Sequence, residues 1–454
     1  MVIKIPEKVK EILNTLELNN YEAYIVGGCV RDSILGIEPK DWDITTNALP
    51  EKVKEIFSKY PVIETGIKHG TVTIVVDDKQ FEITTYRIDG EYEDNRHPSS
   101  VKFTSCLYED LSRRDFTINA MAYNEDVGLV DYFNGYEDLT INKIIRTVGI
   151  PEKRFEEDAL RMMRAVRFKA KLKGFEISQD TRIAIKRMNR KLKFISVERI
   201  QSEFNQILLY NPDCVYDMKD LGISYIIDDS NCYVSLMYNY NQNNPYHYLD
   251  LLEHSLTTVK IVDTLPLKLT MLFHDIGKIV TRENDDNGIS HYKGHAHESA
   301  KRVKEILNYL RYPNDVINKV VTLIDIHDYC FAEDERTIRK QLKRLLNRYG
   351  VDIVKNLIKV RVADITAQNP KYLLKRLNKI FFVKSILEDI LNNKECFSRK
   401  DLDINGNDLI NLGFRGKEIG EILNSCLKSV IDGETLNINY ELTQFVLDNY
   451  FMEE

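Results

Sequence analysis

One change of hydrophobic period, near Thr140, constrains this chain more than any other feature. Before it, short apolar runs alternate at 23–26, 70–76 and 80–87, and Asp77-Asp78 reads as the turn joining the last two into a hairpin. Residues 1–20 and 52–59 have helical spacing. After Thr140 the period is helical throughout, over 156–173, 180–190 and 197–210, and again from Tyr246 to about Ala367. An Asn/Gln-rich break at 239–245 and the Asn369-Pro370 pair divide the helical part. Strands in front and helices behind predict an α+β chain: an α/β head on a mixed or antiparallel sheet, followed by all-α regions. The expected domains are 1–140, 141–240, 245–368 and 371–454, somewhat more than the one per ~150 residues that length suggests.

The 63 Lys and Arg stand against 70 Asp and Glu, a net charge of −7, which excludes a histone-like basic protein. The charge is uneven: residues 143–200 hold 17 basic and 7 acidic side chains, a surplus suited to an RNA stem. Hydrophobic residues make up 43%, enough for a real core. The seven cysteines form no CxxC pair, which argues for a reducing compartment and against disulfides or a thiolate zinc site. No segment reads as a signal peptide or a membrane span, so a soluble, cytoplasmic protein is expected.

Gly27-Gly28-Cys29-Val30-Arg31-Asp32 follows the first strand, and Asp41-Trp42-Asp43 comes shortly after. Paired glycines let the backbone approach a bound group, and a nearby arginine suits a phosphate oxygen. In an extended chain, residues two apart share a face, so Asp41 and Asp43 would repel unless a cation lies between them. Mg²⁺, shared with substrate phosphates, fits that demand. No P-loop pattern occurs, so a nucleotide would be held by another fold.

The string GGCVRDSILGIEPKDWDITT resembles the signature of class II tRNA nucleotidyltransferases, the CCA-adding enzymes and their poly(A) polymerase relatives. The resemblance implies a polymerase-β-like nucleotidyltransferase head, with Asp41 and Asp43 as Mg²⁺ ligands and Gly28 and Arg31 as nucleotide contacts. Glu82, in the 80–87 strand, corresponds to a further carboxylate. Residues 92–98 resemble the loop used in switching to A addition. Arg113-Arg114-Asp115 resembles the next motif; either arginine could touch the nucleotide. Residues 131–139 resemble the hinge between head and neck.

Asp158, Arg161, Arg164 and Arg167 step by three along a predicted helix and form one charged stripe. Spacing alone also suits salt bridges on a solvated face. A carboxylate and a guanidinium can together match the edges of C and A and reject G and U. In the family an EDxxR helix does this, so the resemblance gives Asp158 and Arg161 base recognition and Arg164 and Arg167 support of the site or triphosphate. Residues 196–200 with Glu203 resemble the following neck motif.

His254, His274-Asp275, His295, His327 and Asp364 fall in the second helical block. Clustered imidazoles and carboxylates suit a hydrolytic metal centre with open positions. Their order resembles the HD phosphohydrolases, which implies a second divalent centre (Mn, Ni, Fe or Mg) formed by those six residues. His291 and His297 have no counterpart and read as surface residues. The glycine-rich, basic segment 413–420 resembles a tail that meets the tRNA elbow.

The whole reads as an enzyme that adds C, C and A to the tRNA 3′ end from CTP and ATP, releasing pyrophosphate, with an HD phosphohydrolase activity as an addition. The partners are tRNA, CTP and ATP, with no membrane; monomer and homodimer stay open. Two alternatives remain: an A-adding enzyme or poly(A) polymerase, and an HD phosphohydrolase acting on RNA ends or nucleotides.

Overall fold

The computed structural model describes residues 2–89, 101–228 and 233–450. The chain forms two compact units, 1–232 and 233–454.

The first unit opens with the helix Glu7–Leu18, whose Val9, Ile12, Leu13 and Leu16 are buried at helical spacing. Nine head strands follow: β1 (Ala23–Val26), β2 (Ile44–Thr46), β3 (Val62–Ile63), β4 (Thr71–Val76), β5 (Lys79–Thr85), β6 (Arg87–Asp89), β7 (Val101–Phe103), β8 (Met121–Asn124) and β9 (Gly128–Asp131). Seven form one sheet in the order β3-β4-β5-β2-β1-β8-β9, while β6 and β7 pair separately. Only the β2–β5 pairing within the seven-stranded sheet is parallel, so the sheet is mixed. The β4–β5 hairpin turns at Asp77 and Asp78, both with positive φ, the backbone of a two-residue turn matched to strand twist. Along β4 the side chains alternate between buried and half-buried, the period-2 pattern read in the sequence.

The first unit continues with the helices Pro151–Glu157, Arg161–Lys171, Gln179–Met188, Val197–Tyr210 and Cys214–Asp220. A parallel ladder between Ile144–Ile145 and Glu176–Ile177 adds two short strands to a region read as wholly helical. Two residues are too few to show a period-2 pattern. The long helix read through Asp158 is divided there: Pro151–Glu157 ends at Asp158, whose backbone is extended (φ −144°, ψ 104°). The Asp158 carboxylate accepts the Leu160 N–H at 3.0 Å, a local bond that competes with helix continuation.

The second unit packs the helices Leu251–Ile261, Leu265–Phe273, His295–Tyr309, Asn314–Asp325, Glu335–Thr366 and Pro370–Asn392. The fifth is kinked at Gly350, and Asn369 caps the sixth through the Lys371 N–H. A hairpin, Glu283–Asn284 with Ser290–His291, interrupts the helical block. The tail helices Gly406–Asn411, Lys417–Asp432 and Asn439–Tyr450 close over their own apolar cluster, which includes Ile404, Leu409, Ile422, Cys426 and Leu442. Among the described residues no helix is long and apolar enough to cross a membrane.

Candidate functional site

Gly27 follows β1; its φ is +81° and a Cβ would sit 3.0 Å from Arg114 Nη1. The positive φ favours glycine, and any larger residue would displace the guanidinium. Asp41 and Asp43 lie in the segment entering β2 rather than within the strand, and the Asp43 carbonyl accepts the Val26 N–H at 3.0 Å. The parallel register sets Ile44 opposite Ile83, which brings Glu82 alongside Asp43. All three carboxylates keep solvent access. The surrounding protein pushes the Asp43 carboxyl above its ordinary range, Arg114 pulls it back, and Asp41 adds to the rise. Glu82 is raised by its surroundings and then by Asp43 and Asp41. Three mutually repelling oxygen donors form a set suited to a hard divalent cation.

The two neighbouring arginines separate. Arg113 folds onto buried Asp110, with Nε at 3.1 Å and Nη2 at 2.8 Å, and its backbone carbonyl accepts from Arg161. Arg114 reaches Asp110 with Nη2 at 3.3 Å, lies beside Gly27 and acts electrostatically on Asp43, while its buried Nε has no hydrogen-bond partner. A buried orphan donor is costly unless a ligand satisfies it. Asp110 escaped the sequence reading, although it stands three and four residues before the arginines at helical spacing.

The other cations face inward. Arg31 is buried; it bonds Asp32 through Nε at 2.8 Å and Asn119 through Nη1 at 2.5 Å. Asn119 donates to Asp115 at 3.1 Å, and Asp115 accepts two bonds from Arg164, at 2.9 and 2.6 Å. Lys171 extends the line at the other end, 3.0 Å from Asp32. Arg167 pairs with Glu203 at 2.5 Å. The Phe168 ring lies among three of these guanidiniums, with Arg31, Arg164 and Arg167 at 5.2, 5.5 and 4.3 Å from its centroid. The stripe 158–167 is therefore not a solvated face of i,i+3 bridges. Arg199 grips Asp158 with two bonds, 3.3 and 2.7 Å. Arg161 bonds Glu157 at 2.5 Å and the carbonyls of Arg154 and Arg113 at 3.2 and 3.0 Å. Gly28 begins the helix Gly28–Ile34. Residues 92–98 lie outside the described residues.

In the second unit all six histidine and aspartate residues converge. His254 and His274 meet Nε2 to Nε2 at 3.3 Å, as do His295 and His327. Asp275 spans the pairs, with Oδ2 at 3.1 Å from His274 and Oδ1 at 3.3 Å from His295; Asp364 Oδ1 is 3.2 Å from His254. Each imidazole turns Nδ1 to a backbone carbonyl: His254 to Ala367, His274 to Met271, His295 to Tyr292 and His327 to Ile324, at 2.7–3.3 Å. That arrangement holds each ring in one tautomer and aims Nε2 at the centre, as metal-ligating histidines do. Two subsets, His254–His274–Asp364 and His274–Asp275–His327, have all ligating atoms within 4.8 Å of one another. The chemistry of the donor set fits a divalent transition metal.

Gly277 makes this convergence possible. A Cβ there would lie 2.3 Å from the His295 carbonyl oxygen, and the Gly277 N–H donates to Ser299 Oγ at 2.8 Å. Lys278 bonds Asp275 at 2.7 Å, and Arg361 approaches Asp364 at 3.4 Å. The cluster opens into a cavity of about 260 Å³. His247, which the sequence reading left unassigned, lines that cavity and packs edge-on against His254. His291 pairs with Asp285 at the cavity rim, and His297 lies exposed beside Asp325.

Residues 23–146 match the family described as the poly A polymerase head domain. Residues 174–226 match the "Probable RNA and SrmB- binding site of polymerase A", and 295–446 match tRNA nucleotidyltransferase domain 2. The head match and the mixed sheet make this a nucleotidyltransferase whose head resembles that of the poly A polymerase family. A CCA-adding enzyme of Staphylococcus aureus (strain Mu3) is 32% identical over 446 residues, 98% of each chain. One from Lactobacillus helveticus is 54% identical over 206 residues, 45% of this chain and 51% of that one. The CCA-adding enzyme of Bacillus stearothermophilus, solved in complex with CTP, superposes with a TM-score of 0.72 at 28% identity, covering 97% of this chain and 96% of that one. The Thermotoga maritima enzyme, solved with tRNA, shares the fold at 21% identity, with a TM-score of 0.62, 98% of this chain and 96% of that one. The chain belongs to the CCA-adding enzyme family.

Proposed function

We propose that this chain adds C, C and A to the 3′ end of tRNA from CTP and ATP. Family membership over nearly the whole length supports the activity. The observation that carries the site assignment is the meeting of Asp41, Asp43 and Glu82 near the Gly27 turn, with the Arg114 guanidinium beside Gly27 and acting on Asp43. The tRNA 3′ oxygen forms a bond to the α-phosphorus, the bond to pyrophosphate breaks, and the hydroxyl proton passes to water. No side chain serves as nucleophile. Asp41 and Asp43, with Glu82 beside them, would hold Mg²⁺, which when bound neutralises charge developing on the triphosphate. Arg114 rather than Arg113 would contact the phosphates, with Gly28 near them. Asp158 and Arg161 would read the base edge once they exchange their present partners for it. Arg31, Arg164 and Arg167 would support the site from behind. The four-part division at 140, 240 and 370 would assign head, neck, body and tail, and the reaction would take place in the cytoplasm, where tRNA, CTP and ATP meet.

Replacing Asp41 and Asp43 together by Ala should lower CMP and AMP incorporation by roughly a thousandfold, the scale of several kcal/mol of lost charge stabilisation. Persistent incorporation would sink the assignment. Offering tRNAs ending at the discriminator base, at C and at CC, with CTP or ATP alone, separates full CCA addition from A addition.

A second reading is favoured by the six converging ligands. Residues His254, His274, Asp275, His295, His327 and Asp364 would hold a divalent centre of the HD type, which when bound lowers the pKa of water and polarises a phosphoryl group. The chemistry is hydrolysis of a phosphoester: a water oxygen bonds phosphorus, the ester P–O bond breaks, and the leaving alcohol takes a proton. Opening of 2′,3′-cyclic ends to the phosphomonoester at a rate unchanged in His274→Ala with Asp275→Ala would refute it.

A further inference from the structure

A second cavity of about 490 Å³ adjoins the one over the imidazole cluster, and Tyr246, Arg361 and Arg376 line both. The second is aromatic and basic. Tyr329, Phe331 and Tyr372 contribute rings and Lys375 contributes charge, while Lys379 pairs with Glu333, which also lines the cavity, at 2.6 Å. Tyr246 and Tyr372 pack with ring centroids 5.1 Å apart, Tyr329 and Phe331 at 5.0 Å, and Arg376 lies over Tyr246 at 5.4 Å. Tyr246 is nearly half exposed, so ring surface is available to a ligand. At the junction, the buried Nε of Arg361 has no hydrogen-bond partner, although Nη1 holds the His327 carbonyl at 3.0 Å. In the first cavity the buried Nδ1 of His247, a lining residue, is also unpartnered.

We infer that this second cavity is a nucleobase subsite: it takes the base of one nucleoside phosphate while Arg361 and Arg376 direct the phosphate toward the imidazole cluster. The inference rests on the hydrolase reading of that cluster and names the class of its substrate. Tyrosine faces bind any base by stacking, and guanidiniums add cation–π attraction and phosphate pairing. The volume fits one nucleotide rather than a strand. The shared chemistry is a nucleoside phosphate, either free or at an RNA terminus.

Photolabelling of the full chain with 8-azidoadenosine 5′-monophosphate, followed by peptide mapping, tests the subsite apart from the hydrolysis. The expected result is label on peptides containing Tyr246, Tyr329 or Tyr372. AMP should compete roughly tenfold better than ribose 5-phosphate, the value of one stacked base. The label should survive in His274→Ala with Asp275→Ala and fall in Tyr246→Ala and, separately, in Tyr329→Leu, while Tyr246→Phe keeps it. Label confined to residues 1–232, or equal competition by AMP and ribose 5-phosphate, would overturn the subsite. Label in the cavity with no phosphate release from the Mn²⁺-loaded wild type would refute the hydrolase reading and leave the subsite standing. Competition by a 3′-phosphorylated RNA oligonucleotide that exceeds AMP identifies the RNA terminus as the source; the reverse identifies the free nucleotide.

Discussion

Two residues concentrate the constraints on the head. Gly27 holds a positive φ and touches Arg114, so Gly27→Ala combines backbone strain of about 1–3 kcal/mol with displacement of that guanidinium. Its kcat/KM for CMP incorporation is expected to drop at least tenfold, mostly through KM for CTP; an unchanged KM would show that Arg114 does not serve the nucleotide. Asp115 is the second. Burial alone would raise its pKa, but Arg164 and then Arg161 overcome this and hold it well below the ordinary carboxylate range. The stability it contributes is therefore present above the unfolded value of about 3.9 and is lost as pH falls below it. Asp115→Asn should lower stability near neutral pH by about 2 kcal/mol, less than for a fully enclosed pair because Arg164 keeps 34% of its side chain exposed. Urea titrations at pH 7 and near pH 3 check this: the gap between variant and wild type should narrow at the lower pH.

Among the elements, the β4–β5 hairpin was readable because its signals are local: alternating apolar residues and two aspartates that tolerate a left-handed turn. The division at Asp158 was not. The residues around it carry a continuous helical pattern, and only the Leu160 N–H and Arg199, 41 positions away, show why the chain turns aside. For the same reason Glu82 could be placed near Asp43 only by resemblance, since a parallel pairing between strands 39 residues apart leaves no mark in spacing. The histidine cluster was legible as a list of residue types. Its geometry depends on the Gly277 contact, which no periodicity reveals. Gly277→Ala should push the helix His295–Tyr309 away and weaken Mn²⁺ binding more than tenfold by calorimetry, with CMP incorporation unchanged. Equal Mn²⁺ affinity would mean that the close approach is incidental.

Across the molecule, the charge count described less of the surface than it promised. Much of the basic surplus of 143–200 is spent inside the first unit, where Lys169 and Arg182 share Asp217, Arg182 and Lys186 share Asp220, and Arg164 takes Asp115. What remains toward solvent includes Arg190 over Tyr225 and Lys193 over the exposed Phe194, within the stretch matching the RNA-binding family. Lys191→Ala with Lys193→Ala should raise KM for tRNA and reduce the slope of log affinity against log salt by about two, leaving KM for CTP unchanged. A salt slope equal to wild type would place the RNA path elsewhere.

The line Lys171–Asp32–Arg31–Asn119–Asp115–Arg164 has a consequence for assembly. Ion pairs of this sort add little net stability when compared with apolar packing, but an unmatched buried member costs several kcal/mol. The head supplies Asp32, Arg31, Asn119 and Asp115, and the helix Arg161–Lys171 supplies both ends. That helix packed one turn out of place would strand charges at both ends at once, so the line works as a lock with a single key position, rejecting misaligned packing more than it strengthens the correct one.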